Sequence, residues 1–305
     1  MGEADLKHVV VAGGTGLVGQ PLVRALLASG AQVTVLTRRP ERLSLPPGAV
    51  ARAWKDLPNL LEGTGAILNL AGEGLADRRW SPARKAAILE SRIRATRQLV
   101  EAMRVCGQPP KVLVNASAIG FYGPRETVPV DEASGPGDGF LAQVCQAWEA
   151  EALAATSLGV RVALVRIGVV LAREGGALPK LALPVRWFAG SKLGSGQQGL
   201  SWIHLEDLVA MLVEVAENPA WEGAFNGTAP QPLSNEVFTG LIARRLHRPL
   251  LPVPGCLTAT ATRLLLGEMA EALLLQGAFA LPSRPLALGF RFRFPTAQVA
   301  LEDLL

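Results

Sequence analysis

The stretch VVVAGGTGLVG, residues 9–19, runs from an apolar, β-branched strand into a glycine-rich turn and then into a helix. Such a turn makes an anion cradle. Gly13 takes the tight turn, Gly16 lets the backbone approach a pyrophosphate with no Cβ in the way, and Gly19 lets the helix pack close to the strand. The N–H groups and positive dipole end of that helix, from Thr15 through Leu17 and Val18, then face the phosphates. The spacing reads either as G-x-x-G-x-x-G over 13, 16 and 19 or as G-x-G-x-x-G over 14, 16 and 19. Its weight comes from context: Val9 to Val11 precede it, and Leu22, Val23, Leu26 and Leu27 follow at helical spacing.

Outward from this turn, short apolar runs alternate with helical patterns through the first half of the chain. Strands are predicted near 8–12, 32–37, 66–70, 111–116 and 160–166, and helices near 17–29, 82–106 and 139–157. Ser81 and Pro82 make a ready helix start. This predicts an α/β fold with a doubly wound, Rossmann-like parallel sheet. After Val170 the texture turns to Gly- and Pro-rich loops, and SWIHLEDLVAMLVEV is helical again. A dinucleotide domain over 1–175, with 200–218 returning to it, and a smaller substrate or lid domain over 176–199 and 219–305 are expected, with the pocket between them. The closing GFRFRFP alternates like an edge strand. Trp187, Phe188, Trp202 and Phe225 are available as pocket walls, although the core is the ordinary place for such side chains.

Composition excludes several classes. The chain has 305 residues, 49% of them apolar, and a net charge of +4, enough for a substantial core. Its arginines are scattered, with one cluster at Arg92, Arg94 and Arg97 on a helical pattern, and a single tyrosine leaves little for base stacking. No nucleic-acid partner is expected. Cys106, Cys145 and Cys256 share no metal or redox spacing, and His8, His204 and His247 stand far apart. That predicts no metal and a reduced, cytoplasmic protein. The start MGEADLKH has no apolar signal core, and the apolar segment 257–281 is broken by Arg263, Glu268 and Glu271, so no membrane association is expected.

The second strand selects the dinucleotide. About twenty residues after the glycine turn, an NAD site places a carboxylate that accepts from the ribose 2′-hydroxyl. Here the chain reads Thr37, Arg38 and Arg39. A hydroxyl and guanidinium groups grip a 2′-phosphate that a carboxylate would repel, so NADP(H) is the expected cofactor. In AILNLAGEG, residues 66–74, another apolar strand ends in small residues, so Leu70, Ala71 and Gly72 can lie against pyrophosphate or ribose with Glu73 at the pocket mouth.

Taken in order, GGTGLVG, LTRRP, LNLAGEG, RRW with ILESR, ASAIGFYG, SWIHLEDL, NGTAP and LGFRFRFP resemble the atypical extended short-chain dehydrogenases/reductases of the sugar-nucleotide epimerase-like family, 39U1 type. The likeness covers essentially the whole chain. It implies an extended reductase fold with NADP(H) held at Thr37, Arg38, Leu70, Ala71, Arg92 and Val170.

Related reductases are expected to use a Ser or Thr, a Tyr, and a Lys four residues after it. Ser117 fits the first. The helix that should carry Y-x-x-x-K reads FLAQVCQAWE, which puts Val144 and Trp148 in those slots, or Cys145 and Glu149 if the register slips by one. Tyr122, in IGFYGP with Glu126 four residues on, is the remaining candidate acid or hydrogen-bond donor beside Ser117, or else a pocket-wall residue. His204 titrates near neutrality and has Asp207 three residues on, yet either can simply cap the returning helix. Two functions follow: an NADP-dependent, epimerase-like oxidoreductase acting on an unidentified small molecule, or a non-catalytic NADPH-binding module that serves as a redox sensor or scaffold. Helix 81–103 is a candidate homodimer face by analogy with extended reductases.

Overall fold

The computed structural model describes residues 7–125 and 128–305. The readings of the first six residues and of Glu126 therefore lie outside the described residues. The strands are β1 (His8–Ala12), β2 (Gln32–Thr37), β3 (Ala49–Ala53), β4 (Ala66–Asn69), β5 (Val112–Ala118), β6 (Arg161–Ile167), β7 (Val169–Leu171), β8 (Gly199–Leu200), β9 (Trp202–His204), β10 (Gly223–Gly227) and β11 (Leu233–Ser234). The first helices are α1 (Gly19–Ala28), α2 (Leu57–Leu60), α3 (Pro82–Arg104), α4 (Phe140–Leu153), α5 (Leu178–Arg186) and α6 (Leu205–Glu217). Then come α7 (Asn235–Arg245), α8 (Gly255–Leu266), α9 (Glu268–Ala270), α10 (Ser283–Ala287) and α11 (Ala297–Leu304).

Among the described residues the main sheet has seven strands in the order β10-β6-β5-β4-β1-β2-β3, every pairing parallel. The strand order reverses between β1 and β4. That is the doubly wound arrangement, and its crevice opens at the carboxyl ends beside the reversal. Pairing register decides which residues meet there: Ala12 is level with Leu36 and with Asn69, so the glycine turn, Thr37 and Leu70 leave the sheet along one edge.

Alternation along the strands splits the core in two. Val9, Val11, Val33, Val35, Leu68, Val114 and Val165 pack under α1 and α6, while Val10, Ile67, Leu113, Val162 and Leu164 pack under α3 and the end of α4. Leu22, Val23 and Leu26 carry the buried stripe of α1, each worth about 1.5–3 kcal/mol of transfer free energy. Ser81 caps α3, accepting from the Arg84 amide at 3.2 Å, with Pro82 in the first turn.

Several elements depart from the sequence reading. β3 is missed because its AVARA pattern is half-exposed at the sheet edge. β10, in a stretch read as part of the lid, completes the main sheet beside β6. GFRFRFP forms no strand; the amides of Arg293 and Phe294 go to the Asp207 carboxylate at 2.8 and 3.0 Å instead. Trp202 and Phe225 are fully buried, whereas Trp187 and Phe188 stand exposed at the end of α5. A separate apolar cluster joins α5, α7 and α11 around Trp202 and Phe294, so the C-terminal elements have a core of their own.

Candidate cofactor crevice and the closed network beside it

At the glycine turn Gly13 has φ +82°, and a Cβ there would lie 2.7 Å from the Leu70 carbonyl. A Cβ on Gly19 would collide with the Gly13 oxygen and with the Gly14 backbone. These residues are glycine because backbone meets backbone. Gly16 differs: a Cβ there would meet only the Gly13 oxygen, at an ordinary 3.5 Å, so its free side is room for a ligand. Val18 gives α1 no side-chain cap. The amides of Leu17, Val18 and Gly19 have no backbone acceptor among the described residues, and they are the donors an anion at a helix start uses.

The other candidates form one rim around this turn. Leu70 touches Gly13 and donates its amide to Ala12 O at 2.8 Å, while the Ala71 amide donates to Asn69 Oδ1 at 3.2 Å. Val170, in β7, has its carbonyl against Gly176, whose Cα also faces the Leu17 side chain, so the 175–176 loop comes down beside the turn. Thr37 Oγ1 accepts from the Arg39 amide at 3.3 Å, and the side chains of Arg38 and Arg39 are exposed. Arg92, on α3, lies beneath Gly72: it donates to the carbonyls of Glu73 at 3.1 Å and Ile88 at 3.0 Å, with its guanidinium 5.1 Å from the Trp148 ring. Burial lowers its pKa, opposed by the neighbouring Cys145 and Glu73, and it stays a cation.

Ser117 and Tyr122 lie further along the same edge, inside a network the sequence reading did not foresee. Ser117 Oγ donates to Glu149 Oε1 at 2.7 Å. Arg166 closes a two-pronged pair on Glu149, both contacts at 2.9 Å, and donates to the Tyr122 hydroxyl at 3.1 Å. Tyr122 in turn donates to Asn226 Oδ1 at 2.7 Å. Register explains the meeting, since Arg166 is level with Ser117 on β5 and with Asn226 on β10. All five residues are buried, Tyr122 completely. Burial pushes the Tyr122 pKa up, although Arg166 and Asn226 act against it. Of the two possible helix registers, the structure has Cys145 and Glu149 facing Ser117, while Trp148 turns to α3 and donates to Thr96 Oγ1 at 2.9 Å. Burial pushes the Cys145 thiol up to about 11. Arg166 was legible as a lone cation in the apolar run VALVRIG.

His204 and Asp207 hold the chain together. His204 caps α6, its Nδ1 accepting from the Glu206 amide at 3.1 Å, and its ring stacks on Phe294 at 3.7 Å. Burial lowers its pKa. Its Nε2 lies 3.4 Å from Asp303 Oδ2, while Asp207, whose pKa burial raises, takes the two amides of the terminal segment.

Residues 9–226 match the family described as the NAD dependent epimerase/dehydratase family. The SDR39U1 homologue of Arabidopsis thaliana, a chloroplastic epimerase family protein, is 41% identical over 97% of this chain and 86% of its own length. The chain belongs to that epimerase family, among its atypical short-chain reductases of the 39U1 type. An epimerase family protein of Staphylococcus saprophyticus is 37% identical over 98% of this chain and 100% of its own. Among solved structures, human epimerase family protein SDR39U1 with NADPH superposes with a TM-score of 0.86 at 33% identity, covering 97% of this chain and 98% of that one. Thermus thermophilus UDP-glucose 4-epimerase with NAD shares the fold, at TM-score 0.75 and 19% identity over 97% of each chain. Residues 257–304 of this epimerase family member match a domain of unknown function, DUF1731. Among the described residues no helix is long and apolar enough to cross a membrane.

Proposed function

We propose that this chain binds NADP(H) in the crevice above the glycine turn and is an oxidoreductase of epimerase type acting on a small molecule. One observation carries the cofactor assignment: β2 ends in Thr37 and exposed Arg38 and Arg39, at chain positions where an NAD site has Asp or Glu, beside a turn whose Leu17 to Gly19 amides have no backbone acceptor among the described residues. The human relative's NADPH agrees with it. The amides of Leu17 to Gly19 take the pyrophosphate, Leu70 and Ala71 lie against the ribose side, Arg38 and Thr37 take the 2′-phosphate, and Arg92 supplies a second cation from below. A nicotinamide there supplies hydride exchange. Ser117, whose hydroxyl hydrogen is directed at Glu149, offers only lone pairs to a further partner. The three cysteines are free and dispersed, which suits the cytoplasm.

The closed network favours a second reading, an NADP(H)-binding module without turnover, because neither Tyr122 nor Cys145 is placed or tuned to move a proton. Titration with NADPH and NADH, followed by fluorescence, tests the first part. Arg38→Gln is expected to weaken NADPH binding by about ten- to a hundredfold, the worth of a charge-assisted contact, and to spare NADH. Equal binding of both cofactors with no effect of the substitution would sink the assignment. NADPH oxidation with a panel of carbonyl substrates then separates the two readings, since turnover supports the reductase and its absence, with tight cofactor binding, supports the module.

A further inference from the structure

At the adenosine end of the crevice an exposed arginine is already engaged. Arg38 Nη1 lies 3.9 Å from Glu73 Oε1, with side chains 85% and 36% exposed. This is an ion pair too long for a hydrogen bond. The other carboxylate oxygen, Glu73 Oε2, accepts from Arg84 Nη1 at 3.0 Å. Arg84 is 15% exposed and is itself held by the Gly74 carbonyl at 2.6 Å, with Asp77 at 3.6 Å. The Glu73 backbone is fixed too, its amide on Ser91 Oγ and its carbonyl under Arg92. Carboxylate and backbone are therefore anchored, while Arg38 is a long side chain in solvent. If anything moves, it is the arginine.

The chemistry of the two possible ligands sets the consequence. A 2′-phosphate is a dianion that must draw Arg38 away from Glu73 and then sit near an unreleased negative charge. A free 2′-hydroxyl instead donates to such a carboxylate. We propose that Glu73, fixed by Arg84, is a negative determinant of cofactor choice: it competes with the 2′-phosphate for Arg38, favours an unphosphorylated ribose, and so narrows the preference for NADP(H) over NAD(H). Arg84 is the positioning residue, since it takes up half of the carboxylate and keeps it from closing on Arg38. The inference rests on the NADP(H) reading above.

The test is a set of equilibrium titrations of the full chain with NADPH and NADH at low and at raised salt. Glu73→Gln is expected to raise the ratio of NADPH to NADH affinity by about three- to tenfold, with the gain shrinking as salt screens an exposed pair. Arg84→Gln, which releases Glu73 toward Arg38, lowers that ratio by about two- to fivefold. The double variant returns to the value of Glu73→Gln, which a general loosening of the 73–84 segment by Arg84→Gln would not do. An unchanged or lowered ratio in Glu73→Gln overturns the inference, as does an Arg84→Gln defect that is equal for both cofactors and persists in the double variant. If the parent binds both cofactors alike and Arg38→Gln alters neither, the cofactor reading has failed instead.

Discussion

The two ends of the crevice are built on opposite terms. At the glycine turn, the amides of Leu17 to Gly19 have no backbone acceptor among the described residues, and Arg38 and Arg39 are exposed, Arg38 held only by a 3.9 Å ion pair with Glu73; beside Ser117, each polar group found is answered by another. Water satisfies the first set until an anion replaces it. The second set is out of water, where an unpaired polar group is costly. So the open end is arranged for a ligand, and the closed end holds β5, β6, β10 and α4 to one another.

That contrast can be broken most severely at Glu149. Glu149→Ala leaves Arg166 buried without a counter-ion and is expected to cost about 3–5 kcal/mol in denaturant unfolding. A loss below 1 kcal/mol would mean that the network is not structural. Next in size is thiol reactivity. With its pKa near 11, Cys145 holds about one ten-thousandth of its thiol as thiolate at neutral pH, and it should resist iodoacetamide while exposed Cys256 is alkylated, as peptide mass mapping would show. Prompt labelling of Cys145 in the folded chain would make the closed end reactive after all. Tyr122→Phe strips a donor from Asn226 and an acceptor from Arg166, for about 1–3 kcal/mol of stability. Its NADPH affinity should match the parent's, in contrast to Arg38→Gln, which should lose affinity at unchanged stability. A Tyr122→Phe variant that keeps its stability and loses turnover would move that hydroxyl into the reaction.

The smallest effect concerns pH. His204 has its pKa lowered by burial, so folding favours its neutral form; the stability this contributes is present above the unfolded value and lost as pH falls through the folded one. Acidification below about 6.5 should therefore destabilise the protein, with at most about 1.4 kcal/mol per pH unit from this one group. His204→Asn should flatten part of that slope in thermal melts across pH 5–7. His8, also lowered by burial, supplies slope of the same sign, so an unaltered slope in the variant would assign all of it elsewhere.

What could be read from sequence was whatever acts locally. The Gly13 to Gly19 spacing, the absence of a carboxylate after β2 and the Ser81–Pro82 cap are each decided within a few residues. The reading failed where the partner is distant. GFRFRFP alternates like a strand, yet its amides at 293 and 294 are taken by Asp207. Trp187 and Phe188 look like wall or core residues, and are exposed because α5 presents Leu178, Ala182 and Val185 to the apolar cluster with α7 and α11 instead. His204 and Asp207 allowed a catalytic or a capping reading until Phe294 was found stacked on the ring.

The sequence by itself determined the doubly wound class, the anion cradle at Gly16 to Gly19 and the cationic end of β2, because strand period, turn geometry and charge are properties of short segments. Only the tertiary structure decided that Cys145 and Glu149, not Val144 and Trp148, face Ser117. A helix shows one face to its neighbour, and which face that is depends on packing that no single segment contains. The same holds for Arg38 and Glu73, which lie on different strands' ends and meet because the sheet places β1 between β2 and β4.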